Sequence, residues 1–344
     1  MGIISKDFSF GSLPAGKRDL ITDVPGVKVG HVTLSDGSVQ TGVTAILPGP
    51  GSTFRQKFPA AVHVINGFGK SAGLIQIEEL GTLETPILLT NTLSVPACLD
   101  GLISYMLADH PEIGTTTGTV NAVVGECNDS KVNDIRGRHV TAEHALKALH
   151  NVSEEFAEGA VGAGRGMKCF GWSGGIGSAS RLVEFDGKTY TVGALLLTNF
   201  GRKNQFVICG KKAGEEAHVL KEEEKDYFSR DTGSCMMILA TDLPLSSRQL
   251  KRCAHRAQNG LARCGAQTGG GSGEIVIAFS TANRVPHDGT ETVHTARYLH
   301  EDLLDTVFTA AADCVEESVV SSVFHAETVT GRDGNTLEAF FAGR

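Results

Sequence analysis

The chain has 344 residues, 41 % of them apolar, and a formal net charge of −8. It can bury a sizeable core, and its modest negative charge and scattered cations exclude an electrostatic case for nucleic-acid binding. No window is long and apolar enough to cross a membrane, the N-terminus lacks a signal-peptide core, and the eight cysteines form no CxxC pair, which points to a reducing, cytoplasmic location.

The first third reads as strands punctuated by turns. "GVKVGHVT" alternates, and "GVTAILP" and "AAVHVING" are short β-branched runs closed by Gly or Pro. "SAGLIQIEELGTL" predicts a helix with Gly81 as its C-cap. "TPILLTNTL" predicts a buried strand, and "VPACLDGLISYMLADHP" a helix closed by Pro111. "NAVVGECNDS" is a strand running into a polar loop. "TAEHALKALHNV" is a helix with Thr141 as N-cap. "GAVGAGRGMKCFGWSGGIGSASRLV" reads as a glycine-rich loop, and "KTYTVGALLLTNFG" as a strand ending at Asn199. From Arg202 to Arg230 the composition turns to Lys and Glu, with "KEEEKD" at 221–226, as in a solvated surface segment.

A buried strand, "SCMMILATD", follows. "SSRQLKRCAHRAQNGLARCG" is an amphipathic helix with Ser246 or Ser247 as N-cap and Gly265 as its stop. "GEIVIAFST" is another buried strand, and "HEDLLDTVFTAAADCVEESVVSSVF" a long helix. The blocks supply enough strand for two sheets, so the fold class is a layered α/β or α+β sandwich rather than a doubly wound sheet.

Four places carry chemistry. Gly233-Ser234 stands immediately before a buried strand. A serine hydroxyl needs a base, and its own α-amino group, with a pKa of about 7.7–8.0, can serve once the preceding bond is cut. Glycine at 233 tolerates the backbone through which the hydroxyl attacks its own carbonyl; the plain alternative is a turn. Ser272 and Glu274, two apart before a strand, share a face and could hold an ammonium group, or form a glycine turn with a surface Glu. "GGGSGE" lacks the lysine of a phosphate-binding loop and leads into a strand, which leaves nucleotide binding the weakest reading. Asn199, at the end of an apolar strand, could donate to an oxyanion or simply end the strand. In "GECNDSKVNDIRGRH", Glu126, Asn128, Asp129, Asn133, Asp134 and His139 look like a site rim or a capped polar loop. Only His144 stands near His139, on the following helix, so no metal is expected. "GWSGG" fits a nucleophile-elbow pattern in letters but lacks the strand-to-helix context.

Together, "ITDVPGVKVGH", "GVTAILP", "VNDIRGRHV", "TNFG" and "GSCMMILATDLPLSSRQLKRCAHRAQNGLAR" resemble, over nearly the whole length, the L-aminopeptidase D-amidase/D-esterase family, which includes the β-aminopeptidases. The resemblance implies one α/β/β/α domain over residues 1–344, similar to N-terminal-nucleophile hydrolases and with the connectivity of ornithine acetyltransferase. It implies self-cleavage between Gly233 and Ser234 into a large chain, 1–233, and a small chain, 234–344. Ser234 would be the nucleophile, Asn199 the oxyanion donor, Ser272 and Glu274 the pair at the nucleophile's amine, and Glu126 a holder of the substrate's ammonium. The implied substrates are small peptides, amides or esters, some with D- or β-residues, cut without a cofactor by a homo-oligomer of the paired chains. Acyl transfer is the neighbouring alternative, disfavoured by serine where the acyltransferases use threonine; a non-catalytic relative that never matures is another. At one point the pattern departs: the family's tyrosine near the oxyanion has no counterpart in the 126–134 loop, and the tyrosines here are Tyr105, Tyr190, Tyr227 and Tyr298.

Overall fold

The computed structural model describes residues 8–213, 232–289 and 292–341. The "KEEEKD" run and Tyr227 lie outside them. Among the described residues, β-branched, alternating segments form nine principal strands: β1 (Lys28–Asp36), β2 (Val39–Leu47), β3 (Gln56–Gly67), β4 (Ile87–Asn91), β5 (Val123–Cys127), β6 (Ile176–Phe185), β7 (Lys188–Asn199), β8 (Ser234–Thr241) and β9 (Gly273–Ser280). Five helices join them among the same residues: α1 (Leu74–Leu80), α2 (Val95–Asp109), α3 (Ala142–His150), α4 (Ser247–Arg263) and α5 (Leu304–Phe324).

The strands build two sheets. The smaller runs β1-β2-β4-β5; the larger runs β3-β9-β8-β7-β6, with two-residue strands on the edge of β3. The pairs β8–β9 and β4–β5 are parallel, and the remaining pairs of these nine strands are antiparallel. Three apolar clusters separate the layers. Val29, Ile46, Leu89 and Val123 of the small sheet meet Leu197, Met236, Ile238 and Ile277 of the large one. The outer face of the small sheet packs through Val43, Leu88 and Val124 on Cys98 and Leu102 of α2 and Ala145 and Ala148 of α3. The outer face of the large sheet packs through Ala179, Leu196, Met237 and Val276 on Leu250 and Ala257 of α4 and Val315 and Val319 of α5. The order is therefore α/β/β/α, as the resemblance implied.

Strand alternation explains these clusters. Along β8, Met236, Ile238 and Ala240 face the other sheet, while Cys235, Met237 and Leu239 face α4 and α5. A strand buried on both faces reads as a continuous apolar run, and all eight residues of β8 are buried. Caps set the helix ends: the Ser246 hydroxyl accepts from Gln249 N–H at 3.2 Å, and Gly81 and Gly265 close α1 and α4 in the left-handed region.

One reading is corrected. The stretch expected to be a glycine-rich loop holds β6, ten residues long and the edge of the large sheet. Its glycines hid the strand because they serve as contact points. A Cβ at Gly177 would lie 1.8 Å from the Ser318 carbonyl of α5, so the bare backbone lets helix and sheet approach closely.

Candidate active site

A cavity of about 830 Å³ opens where β7, β8 and β9 begin or end side by side. β7 stops at Asn199, β8 starts at Ser234, and the ladder sets the two directly opposite. On the other side of β8, Ser234 pairs with Gly273 of β9. Both Ser234 and Asn199 are largely buried yet line the cavity.

The Asn199 amide is held in one orientation. Its Oδ1 accepts from the Lys168 N–H at 3.0 Å, which leaves Nδ2 to donate to the Asn128 carbonyl at 2.9 Å and to Ser234 Oγ at 3.3 Å. A fixed amide donor beside a hydroxyl is what an oxyanion forming there needs. The Gly233 carbonyl, at the bond preceding Ser234, accepts from the Gly273 N–H at 3.0 Å. Gly233 itself is not in the left-handed region. Its glycine is required by space instead: a Cβ would meet Phe200 Cβ at 2.8 Å and Phe200 Cα at 2.9 Å. That replaces the conformational reason expected from sequence.

Ser272 and Glu274 come together, with the Ser272 hydroxyl donating to Glu274 Oε1. Both are fully buried and neither lines the cavity. Alternation along β9 puts Glu274 with Val276 and Ala278, toward the helices, whereas Ser234 points with Met236 toward the other sheet. The pair therefore lies on the face of the large sheet opposite to the Ser234 side chain.

Glu126, near the end of β5, lines the cavity and is buried; its oxygens accept from Lys70 N–H at 2.7 Å and from the Thr92 hydroxyl. The rest of the predicted rim divides. Asn128 reaches the cavity. Asp129 and Asn133 are tied to each other at 2.9 Å, and burial pushes the Asp129 carboxyl up to about 7. Asp134 caps a turn at Gly137 and bonds His139 at 3.2 Å. His144 takes the Thr141 N–H at 3.0 Å at the start of α3. These groups secure the loop that carries Asn128.

Sequence reasoning missed Lys168, Thr92, Lys70 and the Gly273 amide. Thr92 carried a usable signal, since "LLTNTL" ends an apolar strand in polar residues as "LLLTNF" does. Lys168 and Gly273 act through backbone N–H groups, which no side-chain pattern announces. Tyr105, Tyr190 and Tyr298 do not line the cavity; among the described residues the aromatic rings there belong to Phe68 and Phe200.

Comparison with known proteins agrees with the fold. The model of peptidase family S58 matches residues 19–337. A β-peptidyl aminopeptidase, BapA of Sphingosinicella microcystinivorans, is 39 % identical across 94 % of this chain and 85 % of its own. Among solved structures, the PH0078 protein of Pyrococcus horikoshii superposes with a TM-score of 0.91 at 49 % identity, covering 97 % of this chain and 94 % of that one. The L-aminopeptidase D-Ala-esterase/amidase of Ochrobactrum anthropi, described as a prototype serine aminopeptidase with a variant of the Ntn-hydrolase fold, superposes with a TM-score of 0.88 at 35 % identity, covering 96 % and 93 %. With a four-layer Ntn-hydrolase-like sandwich and a match over most of its length, the chain belongs to peptidase family S58 and is a hydrolase of the aminopeptidase and amidase class.

Proposed function

We propose that the chain cuts itself between Gly233 and Ser234 and then works as an aminopeptidase with Ser234 as its N-terminal nucleophile. One observation carries this reading: Ser234 opens a buried strand at the cavity wall, with the Asn199 amide 3.3 Å from its hydroxyl. In the maturation step Ser234 Oγ attacks the Gly233 carbonyl carbon. The hydroxyl proton passes to the Ser234 nitrogen as the C–N bond breaks, which frees the amine and leaves an ester on Oγ; water then hydrolyses the ester to give a Gly233 carboxylate and restore the Ser234 hydroxyl. The Gly273 N–H already on the Gly233 oxygen stabilises charge developing there.

In turnover the freed amine takes the hydroxyl proton while Oγ attacks the substrate carbonyl. Asn199 Nδ2 donates to the oxyanion. The amine passes its proton to the leaving nitrogen, and water attacks the acyl-enzyme through the same base. Ser272 and Glu274 hold the Ser234 amine from the far face of the sheet. Glu126 takes the substrate's ammonium, which makes the enzyme act at free N-termini. Short peptides, amides and esters fit a cavity of about 830 Å³, and the relatives' names extend the range to β- and D-residues. The working unit is a homo-oligomer of paired chains in the cytoplasm, in keeping with cysteines that are free and, apart from Cys209, buried.

Ser234→Ala tests the proposal. Denaturing electrophoresis should give two bands for the wild type and one full-length band for the variant. Release of amino acids from aminoacyl amides should fall to background. A variant that still turns over normally removes Ser234 from the mechanism.

A further inference from the structure

Gly67, Gly273, Ser234 and Asn199 form one row across the large sheet, each the last or first residue of its strand, in the order β3, β9, β8, β7. Neighbouring strands lie about 4.8 Å apart, so the row spans about 14 Å of the cavity floor. A phenylalanine follows the row at each end, Phe68 after Gly67 and Phe200 after Asn199. Among the described residues these two are the large apolar side chains that line the cavity. Their settings differ. Phe200 is 3 % exposed, with its ring centre 5.2 Å from that of Phe170 and its backbone against Gly233. Phe68 is 57 % exposed.

The exposed ring stands on a fixed base. Phe68 N–H donates to the Ser272 carbonyl at 3.1 Å, and the Asn66 amide donates to the same oxygen. A Cβ at Gly273 would meet the Phe68 carbonyl oxygen at 2.9 Å, so this backbone lies tight against the start of β9. Two residues on, Lys70 N–H donates to Glu126 at 2.7 Å, and the Lys70 ammonium lies 4.0 Å from the centre of the Phe68 ring. The 68–70 backbone thus bridges from the strand beside Ser234 to Glu126. A ring anchored in this way costs little further ordering when a ligand packs on it, and burying its surface is favourable.

We propose that Phe68 sets the specificity for the released residue: its ring packs against the side chain of the substrate's N-terminal residue and favours an aromatic one first and a large aliphatic one second. The inference rests on the aminopeptidase reading above. With the substrate's ammonium at Glu126 and its scissile carbonyl between Ser234 and Asn199, the released residue lies alongside the 68–70 segment, which joins those two points. Lys70 covers one face of the Phe68 ring, and the exposed remainder of the ring is the surface the substrate's side chain meets. Offset or edge-to-face contact between two rings adds to the gain from area alone, which places aromatic above aliphatic side chains. Glycine and alanine leave the ring uncovered. Phe200, already packed in the core, is wall without selectivity.

The test measures kcat and KM of the self-cleaved enzyme on the p-nitroanilides of glycine, alanine, leucine and phenylalanine, which share one leaving group. The ratio kcat/KM should rise in that order, by about tenfold or more from alanine to phenylalanine. Phe68→Ala should flatten the series, chiefly by raising KM of the phenylalanine and leucine members. Phe68→Leu should lose the advantage of phenylalanine over leucine, a change of rank that a merely structural role for the ring would not produce. A wild-type series that is level, or that falls from alanine to phenylalanine, overturns the role of Phe68 and leaves the aminopeptidase reading standing. So does a Phe68→Ala enzyme in which all four substrates slow by one common factor. A self-cleaved wild type that turns over none of these substrates overturns both.

Discussion

Ser234 and Asn199 meet because an antiparallel ladder sets the last residue of β7 against the first of β8. A donor fixed by the Lys168 N–H is already aimed at the hydroxyl, so the proposed reaction would need little reorganisation. Asn199→Ala should therefore lower kcat by about 10²–10³-fold with a smaller effect on KM. A change confined to KM would make Asn199 a binding residue. A second residue, Glu158, supports a pH prediction. It lies half-buried beside β6 and α5, accepts from Ser178 N–H at 2.6 Å and Ser321 Oγ at 2.5 Å, and desolvation raises its pKa to about 8. Unfolded, the same carboxyl ionises near its ordinary value of about 4.3. Between these values the native state binds more protons than the unfolded one, so this group's contribution to stability is lost as pH rises toward about 8. Glu158→Gln should gain stability relative to the wild type as pH increases through that window, read as the difference in urea midpoints. A difference constant with pH would show that Glu158 is ionised in the fold.

The elements legible in the sequence were those whose period matches their burial. β7 was predicted to end at Asn199 and does, and α4 lies between its Ser246 cap and Gly265. β6 was not legible. Its Gly177 and neighbouring glycines gave a loop signal, yet that position is where α5 lies against the sheet. Gly177→Ala should destabilise the protein by on the order of 2 kcal/mol, since the obstructing atom is a helix carbonyl that cannot swing aside. Calorimetry or denaturant unfolding measures it, and an unchanged midpoint would mean the helix–sheet contact is looser than the geometry gives. Alternation predicted that Ser272 and Glu274 share a face; Ser272 stands just before β9, and its hydroxyl bonds Glu274. Which side of the sheet Glu274 takes depended on the core beyond it.

Across the whole molecule, the proposed cut falls between two central strands of one sheet. β8 is paired along its full length with β7 and β9, and it is buried between two layers of side chains. Cutting at Gly233 breaks no ladder within β8. The fragments ending at 233 and beginning at 234 should co-elute at the native mass in size-exclusion chromatography and separate only in denaturant. Separation of the fragments in plain buffer would show that the sheet does not hold them. The buried Arg181 adds a further tie, reaching the Phe10 carbonyl at 2.9 Å, Asp19 at 3.4 Å and Glu317 of α5 at 2.5 Å. Removing one partner would leave a buried charge uncompensated.

The sequence by itself determined which of the main segments are strand or helix, β6 excepted, because hydrophobic period and caps are local. It also singled out the Gly233-Ser234 pair, because a serine at the mouth of a fully apolar strand is visible in one dimension. Tertiary structure alone decided that Gly233 is glycine for lack of room beside Phe200 and that Gly273 lends its N–H to the Gly233 carbonyl. It alone brought Asn128, Asn199 and Ser234 to one cavity. Steric clearance and hydrogen bonds across strands depend on distances between residues far apart in the chain, and only packing sets those.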